Sequence, residues 1–150
     1  MYAKDIMIQH VISIQKEAKL DEIISVLMQN HISGVPVVDS NNCLIGMVTE
    51  KDLVTKEKGL NISSYMEFMA SILFIDGKLI ENVNKKKIET LTAEDVMSTP
   101  VYAVHLETSI EEIVSLMMNR RINRIPVIDN QRKLIGIIGR NDLLPILMKT

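Results

Sequence analysis

Residues 35–52 read VPVVDSNNCLIGMVTEKD, and residues 125–142 read IPVIDNQRKLIGIIGRND. The second stretch lies 90 positions after the first, and no gap is needed to overlay them. Outward from this core the register holds. Ala3-Lys4-Asp5-Ile6-Met7 meets Ala93-Glu94-Asp95-Val96-Met97. Roughly a third of about 53 aligned positions are identical, and most others exchange one aliphatic residue for another. The chain is two copies of one unit: residues 1–57, then 93–150, joined by a linker over 58–92.

Each copy follows one plan. A short extended piece comes first, Val11–Ile14 and Val101–Val104. An amphipathic helix follows, because Leu20, Ile23, Ile24, Leu27 and Met28 fall on one stripe, as do Ile110, Ile113, Val114, Met117 and Met118. Thr108 with Glu111 reads as a capping box in the second copy, while Ala18 and Lys19 leave the first uncapped. Two apolar strands then flank a polar turn, Asp39–Asn42 and Asp129–Arg132. Pro36 and Pro126 are expected at strand starts, where a missing N–H is tolerated. A final helix begins near Thr49 and near Arg140, and Pro145 is expected to cost the second one a bond or shorten it. The predicted fold class is therefore α/β (α+β), two β-α-β-β-α units packed through their sheets. One unit of about 50 residues buries too little apolar surface to be secure alone, so the copies should pack around a pseudo-twofold axis. The linker has a helical pattern of its own over Ile62, Tyr65, Met66, Met69, Ile72 and Leu73, followed by Lys85-Lys86-Lys87, read as a solvated surface.

Composition narrows the function. The 150 residues carry a net charge of -2, 47% hydrophobic and 24% charged residues, but only 3% aromatics. Near-neutral charge supplies no field for nucleic acid or an anionic membrane, and a single-strand platform would need stacking aromatics. The longest apolar run is far shorter than the roughly 20 residues of a membrane span, so a cytoplasmic protein is expected. Cys43 stands alone, which rules out an intrachain disulfide. His10, His31 and His105 lack metal-ligand spacing, and neither a Walker loop nor a nucleophile elbow is present. The ten methionines, Met28, Met117 and Met118 among them, are read as filling gaps in an aliphatic core.

Two copies of Asp-x-Met, an amphipathic helix, a Pro-Val-x-Asp strand and a Leu-x-Gly strand ending before an Asp resemble a tandem cystathionine-beta-synthase (CBS) domain pair. That resemblance covers most of the chain outside the linker. It implies a non-catalytic regulatory module that binds an adenosine-containing ligand, with AMP, ADP or ATP foremost and cyclic di-AMP or S-adenosylmethionine as alternatives. It implies clefts between the repeats, a homodimer, and a protein partner whose identity the sequence does not give. No other cofactor and no metal is implied. A protein-interaction or structural dimerisation module with vestigial clefts is the competing class.

Read from the residues alone, Thr49 and Asp52 form a capping box. The resemblance implies a second role: Asp52 receives a ribose diol, for which an acceptor-only carboxylate is suited, and Thr49 meets a phosphate at a helix start. The main cleft would add Met47, and from the second repeat Val101 and Tyr102 beside the base and Asn123, Arg124 and Pro126 before the inner strand. Arg124 is the expected phosphate partner, assisted by Arg140 and Asn141. A second, weaker cleft would use His10, Val11, Ile12, Ser33, Gly34, Pro36 and Asp142. There Gly139 replaces the hydroxyl of Thr49, and Gly34 stands where the other copy has Arg124.

Overall fold

The computed structural model describes residues 1–54 and 90–149. The helical pattern from Ile62 to Leu73 and the Lys85–Lys87 run lie outside the described residues. In chain order the elements are α1 (Ala3–Ile6), β1 (Ile14–Gln15), α2 (Leu20–Gln29), β2 (Gly34–Val38), β3 (Leu44–Thr49), α3 (Glu50–Val54), α4 (Ala93–Val96), α5 (Ile110–Arg120), β4 (Arg124–Ile128), β5 (Leu134–Gly139) and α6 (Arg140–Leu147). They form a three-stranded sheet in the order β1-β2-β3 and an antiparallel pair β4-β5. This is the mixed α/β architecture that the periodicities predict.

Several local expectations are corrected. In the first copy the extended piece is a strand only at Ile14–Gln15. In the second it shrinks to one parallel bridge, Val104 to Val127. Pro126 accounts for that loss. It lies in the middle of β4 rather than at its start, opposite Ile137. Val104 N–H donates to the Pro126 carbonyl at 3.0 Å, and Ile128 N–H donates to the Val104 carbonyl at 2.9 Å. The next bond of that ladder would need a Pro126 N–H, which proline lacks, so pairing stops before Tyr102.

The cap of α5 sits one residue later than read. Ser109 is the N-cap and its hydroxyl accepts from Glu112 N–H at 3.2 Å, whereas the Thr108 hydroxyl accepts from His105 N–H. Helix α2 has Lys19 as its N-cap and no side-chain cap, as its sequence implies. Helix α6 runs through Pro145 to Leu147, so the proline removes the bond to the Asn141 carbonyl without ending the helix. The turns are alike in both copies. Asp39 and Asp129 each accept two backbone N–H groups, and Asn42 and Arg132 take left-handed φ values of 63° and 64°.

The described chain forms two compact units. The first holds Met1–Ser13, Val38–Ile45 and Pro100–Thr150. Its core is Ala3, Val104, Ile110, Ile113, Met117, Ile125, Val127, Ile138 and Leu143. Helix α1 is tied into it by Ala3 N–H to the Thr108 carbonyl at 2.8 Å and Lys4 N–H to the Leu106 carbonyl at 3.1 Å. A smaller cluster, Val38, Leu44, Ile128 and Leu134, lies where the two turns meet, Leu44 N–H reaching the Arg132 carbonyl and Leu134 N–H the Asn42 carbonyl.

The second unit holds Ile14–Val37 and Gly46–Thr99. It buries Ile14, Leu20, Ile23, Ile24, Leu27, Val35, Val37, Val48 and Leu53. Helix α4 is tied in by Ala93 N–H to the Ala18 carbonyl at 2.8 Å and Glu94 N–H to the Lys16 carbonyl at 3.0 Å. The opening helix of each repeat therefore packs with the other repeat. Two glycines make this possible. A Cβ on Gly136 would collide with Met7 Sδ, and one on Gly46 with Met97 Sδ. The Asp-x-Met and Leu-x-Gly motifs are thus two sides of one contact, made twice. Of Met28, Met117 and Met118, read as core, Met117 is buried while Met28 and Met118 are exposed.

Candidate functional site

In the second unit, β3 ends at Thr49 and α3 begins at Glu50, and this junction is pinned by Glu50 N–H donating to the Ser33 carbonyl at 2.9 Å. Asp52 sits in the first turn of the helix. Its Oδ2 accepts from Thr49 N–H at 2.8 Å and from the Thr49 hydroxyl at 3.1 Å. Its Oδ1 accepts from the Ser98 hydroxyl at 2.5 Å. At 8% exposure it is the one buried charged side chain among the described residues. The carboxylate half of the capping box is present, but the Thr49 hydroxyl donates to Asp52 rather than accepting a backbone N–H. Ser33 is exposed, while Gly34, Pro36 and Met47 are buried nearby in sequence on β2 and β3.

In the first unit the matching junction joins β5 to α6. Arg140 N–H donates to the Asn123 carbonyl at 2.9 Å, and Gly139 N–H donates to Asp142 Oδ2 at 2.7 Å. Arg124 pairs with Gly139 across the β4-β5 ladder. It is half-buried; burial pulls its guanidinium below its ordinary pKa, and the Asp142 carboxylate opposes that fall. Asn123, Arg140 and Asn141 are exposed around this pair, and Pro126 is buried. Tyr102 is 37% exposed, with the Arg120 guanidinium over its ring at 4.8 Å. Val101, Val11 and Ile12 are half-buried, and His10 is exposed.

The structure thus gathers the named residues by unit. Thr49, Asp52, Met47, Ser33, Gly34 and Pro36 belong to the second unit. Arg124, Asp142, Asn123, Arg140, Asn141, Pro126, Tyr102, Val101 and residues 10–12 belong to the first unit. Each residue set expected from the sequence draws on both. Ser98 escaped sequence reasoning, since a lone serine 46 positions from its partner leaves no pattern; its only signal is its place just after Asp-x-Met. Among the described residues, no cluster of three or more His, Cys, Asp or Glu could hold a metal, and no helix is long and apolar enough to cross a membrane.

The family model for the CBS domain matches residues 3–59 and 93–149. The chain belongs to this family, and the CBS domain is matched twice along it. It is 30% identical over 155 residues to the uncharacterized protein MJ1426 of Methanocaldococcus jannaschii, covering 99% of this chain and 92% of that one. It also matches an inosine-5'-monophosphate dehydrogenase of the same organism at 30% identity, with 95% of this chain covered but only 23% of that enzyme. Among solved structures, CBSX2 in complex with AMP is similar at a TM-score of 0.73 and 21% identity, covering 99% of this chain and 96% of that one. The CBS domain pair of protein MJ0100, in complex with 5-methylthioadenosine and S-adenosyl-L-methionine, gives a TM-score of 0.71 at 19% identity, covering 99% and 97%.

Proposed function

We propose that the chain is a non-catalytic regulatory module that binds an adenosine-containing ligand, with AMP, ADP or ATP foremost, and passes the resulting change in conformation to a partner protein. The observation that carries this reading is Asp52. A carboxylate is seldom kept buried without a purpose beyond packing, and an acceptor-only group held by Thr49 and Ser98 at a strand-to-helix junction suits a pair of vicinal hydroxyls. Arg124, beside Asp142 on the other junction, supplies a guanidinium for phosphate oxygens. Two structurally similar CBS proteins carrying AMP and S-adenosylmethionine support the ligand class. Calorimetry with AMP, ADP, ATP, cyclic di-AMP and S-adenosylmethionine tests it. We expect binding of at least one mononucleotide, and no binding of any adenosine compound at millimolar concentration sinks the reading.

A second reading, a homodimer or protein-docking module, is favoured by one feature of the first unit. Helices α5 and α6 and Met1 line a groove of about 750 Å³ containing Ile110, Val114, Met118 and Leu147. Met118 and Leu147 are 73% and 54% exposed, more than solitary surface apolar residues require. The two readings are compatible, since a ligand-driven change needs an interface to act upon. A cytoplasmic location accords with both.

A further inference from the structure

The repeat places two residues at equivalent points with opposite chemistry. In the second unit, Ser98 pairs its backbone with Met47, Ser98 N–H donating to the Met47 carbonyl at 2.8 Å, and its hydroxyl reaches Asp52. In the first unit the equivalent residue is Ile8, paired with Ile137 in the same way at 2.9 and 3.0 Å. Ile8 has no polar group to offer Asp142. Asp142 accepts from Gly139 N–H and lies in the field of Arg124. The two carboxylates therefore differ in how much of their acceptor capacity the protein itself consumes, a difference set at residues 8 and 98 as well as at 49 and 139.

We propose that Ser98 is a competing donor at the Asp52 junction, whose hydroxyl occupies the carboxylate oxygen that a ribose hydroxyl takes on binding. The inference rests on the nucleotide-binding reading above and adds to it a residue, a selectivity and a route of transmission. A carboxylate accommodates about four donors, and Thr49 already supplies two to Oδ2, so a diol competes chiefly for Oδ1. A ligand with both ribose hydroxyls replaces the bond it displaces; a ligand without them does not. Displacing Ser98 also loosens the segment that closes α4 onto β3, where Met97 packs on Gly46. Occupancy at Asp52 is thereby linked to the one helix that the second repeat contributes to this unit.

Calorimetry on the full chain tests this with AMP and 2′,3′-dideoxy-AMP as probes. Ser98→Ala removes the competing donor, so AMP should bind about fivefold more tightly, the worth of one net hydrogen bond. Ser98→Thr keeps the hydroxyl and should return the wild-type affinity. The dideoxy compound should bind wild type and Ser98→Ala alike within about twofold, and the AMP gain should vanish in an Asp52→Asn background. Unchanged or weaker AMP binding by Ser98→Ala overturns the proposal, as does an equal gain for both probes. Equal AMP affinity in wild type and Ser98→Ala removes Ser98 alone, whereas absence of adenosine binding in both proteins removes the nucleotide reading and this inference with it.

Discussion

Asp52 combines two duties that are separable by measurement. As the N-terminal carboxylate of α3 it satisfies Thr49 N–H and two hydroxyls, so Asp52→Ala should destabilise the protein by about 1–2 kcal/mol in a urea titration. As the proposed diol acceptor, it should also lose AMP affinity when replaced, and more than Asp142→Ala does; calorimetry showing equal or reversed losses would refute that order. Arg124→Ala should cost AMP and ATP about tenfold while adenosine loses little, because the guanidinium is proposed to meet phosphate rather than sugar. A uniform loss across all three ligands would place Arg124 outside the phosphate contact. Thr49 and Asp52 are legible as a candidate pair because the strand-turn-helix motif is local, whereas their ligand roles and that of Arg124 come only from the family resemblance. Sequence reasoning missed Ser98 because the hydroxyl meets its carboxylate only after α4 has packed beside β3.

At the scale of elements, what was legible was what repeats with a regular period. The stripes of α2 and α5 follow from period 3.6, and the apolar runs of β2 and β4 from burial on both faces. Helices α1 and α4, four residues each, are too short to show a period, although Thr92 with Asp95 carries a cap signal. The partner exchange of those helices was not legible at all, since it depends on which glycine receives which methionine. Gly46→Val should therefore destabilise by about 1–3 kcal/mol through overpacking against Met97, and Met97→Ala should relieve part of that cost. Strict additivity of the two changes in chemical denaturation would mean that the contact does not organise the unit. The corrected cap of α5 gives a smaller test. Ser109→Ala should cost about 1 kcal/mol, because it removes the acceptor of Glu112 N–H at the N-cap.

For the whole molecule, the low aromatic content first excluded a stacking platform and now bears on the proposed ligand environment, where Tyr102 is the aromatic expected beside the base. Tyr102 is already engaged by Arg120, so a base approaching it meets a cation on one ring face. The large exposed apolar side chains are unevenly distributed. Met1, Tyr2, Ile8, Tyr102, Met118, Leu144, Leu147 and Met148 all belong to the first unit, and among the described residues of the second only Met28 joins them. Such a concentration is costly to leave in water and is what an interface between copies or with a partner would cover. If copies of this chain meet there, sedimentation equilibrium should give twice the monomer mass of 17.0 kDa for the wild type. Met118→Glu, which sets a charge in the α5–α6 groove, should shift the mass toward the monomer, while Asn41→Glu on an exposed turn should leave it unchanged. A wild-type chain that sediments as a monomer up to hundreds of micromolar would discard the homodimer and leave the groove to a different protein, the partner that a nucleotide-responsive module must have if its change in shape is to be read.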